Sequence, residues 1–322
     1  DFKVMNSLNM PDSDQDLLSE DSFDIRASLM TLWLGKFKII GFTSACAIAA
    51  IFYSLSLPNI YTSSAILKVN DNSNSQSSML SQYSGIASMA GISLPTQSDN
   101  KMQYAIQTLK SKEFVKYLLK EDMFIPNLMA VKEYDSVSKS IVYDEKVYIE
   151  NNNKWIRETS QGRSIIPSHI EVFDLSYNPN YQARKDMKSG FLYVSFSHQS
   201  PDFSYTFLNK TIEVLNRISR EKDLKESQDA LDYLYDKLSE PQQKEVLSSI
   251  NALIESQLKT QMLGNIRDDY LVSIIDPPFY PENKSSPKRS QIVILATILG
   301  FMVSILFVFV SQSIFVRQIK NY

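Results

Sequence analysis

Two uncharged apolar runs bracket a long stretch of mixed pattern. The first is Ile39 to Leu57. The second is Ile292 to Phe309, which Ser311, Gln312 and Ser313 barely interrupt before Ile314. About 20 residues at 1.5 Å rise cross a hydrocarbon core of roughly 30 Å, so each run predicts a membrane-spanning helix. The first run is longer than the usual apolar core of a secretion signal, and some 36 residues precede it, although Ser54 and Ser56 allow a weak cleavage pattern. Ahead of it lie an acidic tail over 1–24 and a helical spacing at Ile25, Leu29, Leu32 and Trp33. Trp33 beside Lys36 and Lys38 suits a membrane interface.

Between the runs the pattern alternates between short strands and long helices. Pro58 stops the first span, and Tyr61 to Val69 predicts a strand. Residues 70–98 are rich in Ser, Asn and Gln, with a small-residue apolar patch at 84–94 that suits a loop or short helix packed on a neighbour. Lys101 to Glu121 predicts a helix through Ala105, Ile106, Leu109, Phe114, Val115, Leu118 and Leu119. Strand candidates at Lys146–Ile149 and Trp155–Ile156 flank the turn-like Asn151–Asn153, and Asn178-Pro179-Asn180 reads as a turn. Phe191 to Ser197 predicts a strand.

Ser200-Pro201-Asp202 then opens a helix that meets no glycine or proline before Leu238. Its first half is apolar on one side. Its second half is charged, with only a thin stripe at Leu224, Leu231, Leu234 and Leu238. A helix so polar cannot be buried in a domain core; it predicts a projecting arm that meets other helices along a narrow, coiled-coil-like seam. After a break at Ser239-Glu240-Pro241, a second helix carries Val246, Leu247, Ile250, Leu253, Ile254, Leu258 and Met262, with Gly264 as its expected stop. Tyr270 to Ile275 returns as a last strand. Prolines 277, 278, 281 and 287 follow and predict a stiff extended strut leading into the second span.

The expected organisation is an N-terminal tail over 1–36, a first span over 37–57 and a large domain over 58–290. Within that domain the long helices fall near 202–238 and 241–263 and the strut at 277–288. A second span over 291–316 and a tail over 317–322 complete it. Arg26, Lys36 and Lys38 precede the first span, and no basic residue follows it until Lys68, which places the N-terminal side in the cytoplasm. Two spans then put both termini in the cytoplasm and the large domain outside.

Composition narrows the chemistry. The net charge of −3 argues against nucleic acid as a partner. The single cysteine, Cys46, lies inside the first run, so the large domain needs no disulfide, which is compatible with the periplasm and equally with the cytosol. No phosphate-binding loop, HExxH, GxSxG or paired-cysteine metal motif occurs. His169 and His198 stand apart from any nucleophile or ligand cluster, and the acidic residues between Glu221 and Asp236 read as a solvated helix face. No catalytic, cofactor-binding or metal-binding residue is expected. Gly41, Ala45 and Ala49, spaced by four, form a small-residue stripe that suits packing against another transmembrane helix and is equally consistent with an ordinary Ala/Gly-rich span.

One stretch is more specific. Pro278-x-x-Pro281, four residues, Ser286-Pro287-Lys288, eleven residues and then Gly300 resembles the signature of the bacterial polysaccharide co-polymerases of the Wzz type, the O-antigen chain-length determinant proteins. The Pro/Ser/Lys spacing matches at every position. The family's Gly-Gly-Met cluster stands here as Gly300-Phe301-Met302, with Ser304 in place of a later glycine and expected to serve the packing of the second span. Residues 105–119, 195–224 and 253–278 are also similar, so the resemblance runs over 25–316.

The resemblance implies an α+β fold: a membrane-proximal α/β base with a long projecting helical arm, flanked by two transmembrane helices. It implies a ring homo-oligomer, an octamer in many relatives, in the bacterial inner membrane. It also implies a non-catalytic role in setting the modal chain length of lipopolysaccharide O-antigen. The implied partners are further copies of the chain, the O-antigen polymerase, undecaprenyl-linked or growing polysaccharide, and inner-membrane lipid. Under it, Pro278, Pro281, Ser286, Pro287, Lys288 and Gly300 serve transmembrane geometry and polymerase coupling. Related capsule and exopolysaccharide systems carry or partner a tyrosine kinase, and the short stretch after Val316 places this chain with the kinase-free class. Other surface polysaccharides, such as capsule, enterobacterial common antigen or exopolysaccharide, and a two-span periplasmic sensor stand as alternatives.

Overall fold

The computed structural model describes residues 30, 32–70, 97–120, 124–159, 162–239 and 244–320. The expectations for the tail over 1–24, for Ile25 and Leu29, for the patch at 84–94, for the break at Glu240-Pro241 and for the last two residues lie outside the described residues. The chain divides into two units, residues 1–57 with 288–322, and residues 58–287.

The elements run as follows: α1 (Lys36–Ser56), β1 (Tyr61–Val69), α2 (Gln97–Leu109), α3 (Lys112–Leu118), α4 (Phe124–Met129), β2 (Val131–Asp135), β3 (Ser140–Tyr143), β4 (Tyr148–Ile149) and β5 (Lys154–Trp155). An irregular helical stretch then passes from His169–Val172 through a π turn at Phe173–Tyr177 to Asn178–Asn180. It is followed by β6 (Tyr181–Lys185), β7 (Leu192–His198), α5 (Pro201–Leu238), α6 (Lys244–Ile266), β8 (Val272–Asp276) and α7 (Arg289–Lys320). The fold is mixed α+β, with one helix of 38 residues and an apolar candidate span at each end.

In the larger unit, β6, β7, β1 and β8 form an antiparallel sheet in that order. Strand β1 alternates as a half-buried strand must: Ser63, Ala65, Leu67 and Val69 point inward. Phe196, Val194 and Leu192 of β7 face the same core, which α2, α3 and the first half of α5 cover through Leu109, Phe114, Leu118, Phe207 and Leu215.

Two helix boundaries differ from the pattern reading. The predicted helix over 101–121 is two helices, because the Ser111 hydroxyl accepts the amide of Phe114 and caps α3. Asn178-Pro179-Asn180 is a short α-helical segment directly after the π turn rather than an open turn, and Pro179 stands in the first turn of that segment. Nearby, Arg157 pairs through two nitrogens with Glu171 and donates to the carbonyls of Ser164 and Ile165, and this guanidinium holds the Glu171 carboxyl below the usual range.

Helix α5 starts as its sequence demands. Ser200 accepts the Phe203 amide at 3.2 Å, and Pro201 takes the first turn. Its second half leaves the core and pairs with α6 through Leu231, Leu234, Ile250 and Ile254, flanked by Leu238. Gly264 is not the stop of α6, which continues to Ile266. A Cβ there would sit 2.6 Å from Cδ2 of Leu224, so the glycine is where the two helices close on each other. Only part of the predicted apolar face of α6 is buried: Leu253, Leu258 and Met262 are exposed.

His198, between β7 and α5, is a buried structural residue. The Ser200 amide donates to its Nδ1 at 3.0 Å, which leaves Nε2 to donate to the Asn127 carbonyl at 2.8 Å. Burial lowers its pKa from 6.5 to about 4. As pH falls the unfolded chain takes the proton first, so stability is full above about pH 6.5 and declines between 6.5 and 4. The loss reaches about 2 kcal/mol at pH 5 and about 3 kcal/mol below pH 4. Unfolding of the detergent-solubilised protein at pH 7.5 and pH 5 should show this loss, and His198→Gln should flatten it. An equal pH slope in both proteins would remove His198 as the source.

Candidate functional site

The motif residues fall in both units, and each group forms a defined local arrangement. In the larger unit, Pro277 to Pro287 is extended, as the prolines predict, and it is also tied to a strand. Prolines remove donors, yet the serine amides between them remain. Ser285 N and Ser286 N donate to the Ile60 carbonyl at 2.8 and 3.3 Å, and Ile60 N donates to the Ser286 carbonyl at 2.9 Å. The Ser63 hydroxyl donates to the Phe279 carbonyl at 2.8 Å, and the Thr62 and Ser285 hydroxyls meet at 2.7 Å. The segment is thus laced along the start of β1. Pro278 and Pro281 are buried, Ser286 is exposed and follows the same path, and Pro287 is half-buried after a cis peptide bond.

In the other unit, α1 and α7 pack along one seam. Each is long and apolar enough to cross a membrane. Gly300 is the close-approach point. A Cβ built on it would lie 2.7 Å from the Cys46 Cβ and 3.1 Å from its Sγ. One turn on, buried Ser304 sits 3.5 Å from the Thr43 hydroxyl and also donates to the Phe301 carbonyl. At the far end the Arg289 guanidinium donates to the Leu57 carbonyl at 3.3 Å, placing a cation at the C-terminus of α1. Near the start of α1, the Lys36 ammonium lies 4.5 Å over the Trp33 ring. Lys288 is exposed, one residue before α7.

The stripe Gly41, Ala45 and Ala49 is not the surface that meets the second span. All three are exposed, and nothing lies within 4 Å of a Cβ on Gly41. The seam passes instead through Ile39, Thr43, Cys46 and Ser54, roughly a third of a turn away. Ala49 borders an apolar groove beside the seam with Phe42, Tyr53, Leu295 and Leu299. On the first span the sequence pointed to Gly41, Ala45 and Ala49 and not to Thr43 and Cys46; on the second it pointed to Gly300 and Ser304, and the structure places both in the seam. Among the described residues no three metal-binding side chains cluster.

These features define a class: an α+β unit flanked in the sequence by two candidate membrane helices, whose motif residues fall in a helix seam and in a strand-bound extended segment. Residues 21–121 match the family Wzz, "Chain length determinant protein", and residues 232–313 match GNVR, "G-rich domain on putative tyrosine kinase". The chain thus carries a chain length determinant region in its first part and a G-rich region of the GNVR type in its last part. No curated protein matches the chain. Among solved structures it is similar to a "full-length bacterial polysaccharide co-polymerase", at 16% identity over 94% of this chain and 99% of that one, with a TM-score of 0.35.

Proposed function

We propose that this protein sets the modal length of lipopolysaccharide O-antigen, acting in the bacterial inner membrane as a homo-oligomer that works on the O-antigen polymerase. The observation that carries the reading is the spacing Pro278, Pro281, Ser286, Pro287, Lys288, which resembles the O-antigen class at every position. The basic residues before the first span support an outward-facing domain over 58–287 and cytoplasmic termini.

Self-assembly is supported by the arm. Leu253, Leu258, Met262 and Ile266 of α6 are 43% to 74% exposed. They lie on a helix whose own partner α5 covers only a thin seam, so a second copy offers the missing cover. A ring of such copies would present the motif residues to the polymerase in a fixed geometry, with Pro278 and Pro281 setting how the extended segment lies and Gly300 setting the helix crossing.

The deciding measurement is the lipopolysaccharide ladder of a strain lacking the gene, with and without its restoration. A short-weighted random ladder should become a tight modal cluster on restoration. A ladder that ignores the gene removes O-antigen as the target and brings capsule or another surface polymer forward.

A further inference from the structure

The larger unit holds a cavity that neither the core nor the motif uses. Its volume is about 400 Å³, and it lies where the loop over 162–168 meets the irregular helical stretch that starts at His169. The loop is held in place. The Arg157 Nε donates to the Ile165 carbonyl at 2.7 Å and its Nη2 to the Ser164 carbonyl at 3.0 Å, while the same guanidinium pairs with Glu171. The Thr159 hydroxyl donates to the Arg163 carbonyl at 3.3 Å, and Pro167 is buried. Loop and helical stretch are thus fixed to each other through Arg157.

The charges lining the cavity do not cancel. Glu171 is paired with Arg157, and Asp174 with Lys112 at 3.2 Å. Arg163 also lines the cavity and is exposed. Among the described residues its guanidinium makes no hydrogen bond or ion pair, and it acts on Glu171 only at longer range. The cavity thus keeps a cation for an incoming anion. A guanidinium fork matches a carboxylate, which it holds through two parallel bonds. Glu171 and Asp174 repel a phosphate dianion about twice as strongly as a carboxylate. Ile170 and Leu175, 46% and 62% exposed, add apolar surface. The Ser168 hydroxyl accepts the Glu171 amide at 3.3 Å and keeps its own proton to donate. The volume is small for a ligand pocket, with room for a sugar ring or two and not for a partner's helix.

We propose that this cavity binds a carboxylate-bearing sugar, a residue of the hexuronic acid type. Arg163 clamps the carboxylate, Ile170 and Leu175 meet the C–H groups of the ring, and Ser168 and Asp174 bind its hydroxyls. That the anion is a carboxylate follows from Arg163 and its neighbours; that it belongs to a sugar rests on the co-polymerase reading above.

The test is a saturation-transfer NMR titration of the full-length protein in a detergent without a sugar headgroup. The probes are glucuronate, glucose, glucose 6-phosphate and cyclohexanecarboxylate. Glucuronate should bind about fivefold or more tightly than each of the others. Arg163→Gln should weaken glucuronate about five- to tenfold, to the level of glucose. Arg163→Lys keeps the charge without the fork and should lose less. Lys188→Gln, at an exposed position between β6 and β7, should change nothing. Glucuronate that fails to bind, or that binds the Arg163→Gln protein equally well, overturns the proposal. Tighter binding of glucose 6-phosphate does so too, since the cavity would then be a phosphate site. Equal binding of cyclohexanecarboxylate does the same, since the hydroxyls would then go unread. The ladder separates these failures from failure of the broader reading. A protein that restores the modal cluster yet ignores glucuronate keeps its role and loses this site. One that binds glucuronate and leaves the ladder unchanged keeps the site and moves its role to an acidic surface polymer.

Discussion

Replacing Gly300 with leucine should erase modal length control while the protein remains in the membrane at normal abundance. The contact that Gly300 makes is with a Cβ, which is fixed to the α1 backbone and cannot rotate away. Carbon atoms prefer about 3.5–4.0 Å, and even one methyl group at 300 would stand 2.7 Å from the Cys46 Cβ. The helices must therefore separate. Overpacking of this kind costs about 1–3 kcal/mol, and in lipid no hydrophobic force between helices offsets it, because association there depends on close packing. The Thr43–Ser304 hydroxyl pair one turn away would open with it.

The expected ladder is that of the deletion strain, with immunoblot levels unchanged. A swap gives the sharper check. Gly300→Ala should impair length control, and Gly300→Ala with Cys46→Gly should restore it, because the gap then again holds a single Cβ. Gly41→Leu should be tolerated by the seam itself, since nothing lies near a Cβ there. If Gly41→Leu abolishes control and Gly300→Leu does not, the crossing within one chain is not what matters, and the Gly41, Ala45, Ala49 face pairs with another chain.

The two long apolar helices were plain from sequence, since each uncharged run continues for about twenty residues without a break. The seam was not, because small residues mark where close approach is allowed, whereas the helix rotation selects where it occurs. The same limit governs Gly264. Next to an apolar stripe it looked like a helix stop, but its real constraint is Leu224 on the neighbouring helix, distant in sequence.

Elements with strong local signals were legible: the Ser200-Pro201 start of α5, the aromatic β7, and the thin leucine stripe that became the arm seam. Elements that depend on distant partners were not. The hairpin of β2 and β3 has little alternation of its own, and its Tyr134 packs on Tyr61 from a remote part of the chain. The extended segment read as a strut because prolines advertise stiffness; its attachment to β1 runs through the Ile60 backbone and serine amides, which carry no side-chain signal. Asn216 is the extreme case. In sequence it is one polar residue inside an amphipathic helix.

In the structure Asn216 is buried, 5% exposed, and holds the start of β8 to α5. Its Oδ1 accepts the amides of Leu271 at 2.9 Å and Val272 at 2.8 Å, and its Nδ2 donates to the Val272 carbonyl at 2.9 Å. These bonds let the edge strand β8 sit against the helix without orphaned backbone groups, which is why β8 can close the sheet beside β1. Asn216→Leu keeps the branching and the number of side-chain heavy atoms and removes all three partners. Each buried group left unpaired costs about 1–3 kcal/mol, so the total is about 4 kcal/mol once some relaxation is allowed. For a unit of this size about 1 kcal/mol moves Tm by roughly 2–4 °C, so thermal unfolding followed by near-ultraviolet circular dichroism should fall by about 10 °C. Asn216→Ser and Asn216→Ala would let water enter, so Asn216→Leu is the cleaner probe. A shift under about 2 °C would mean that β8 finds other partners, and that the strand leading into Pro277 to Pro287 is held by β1 alone.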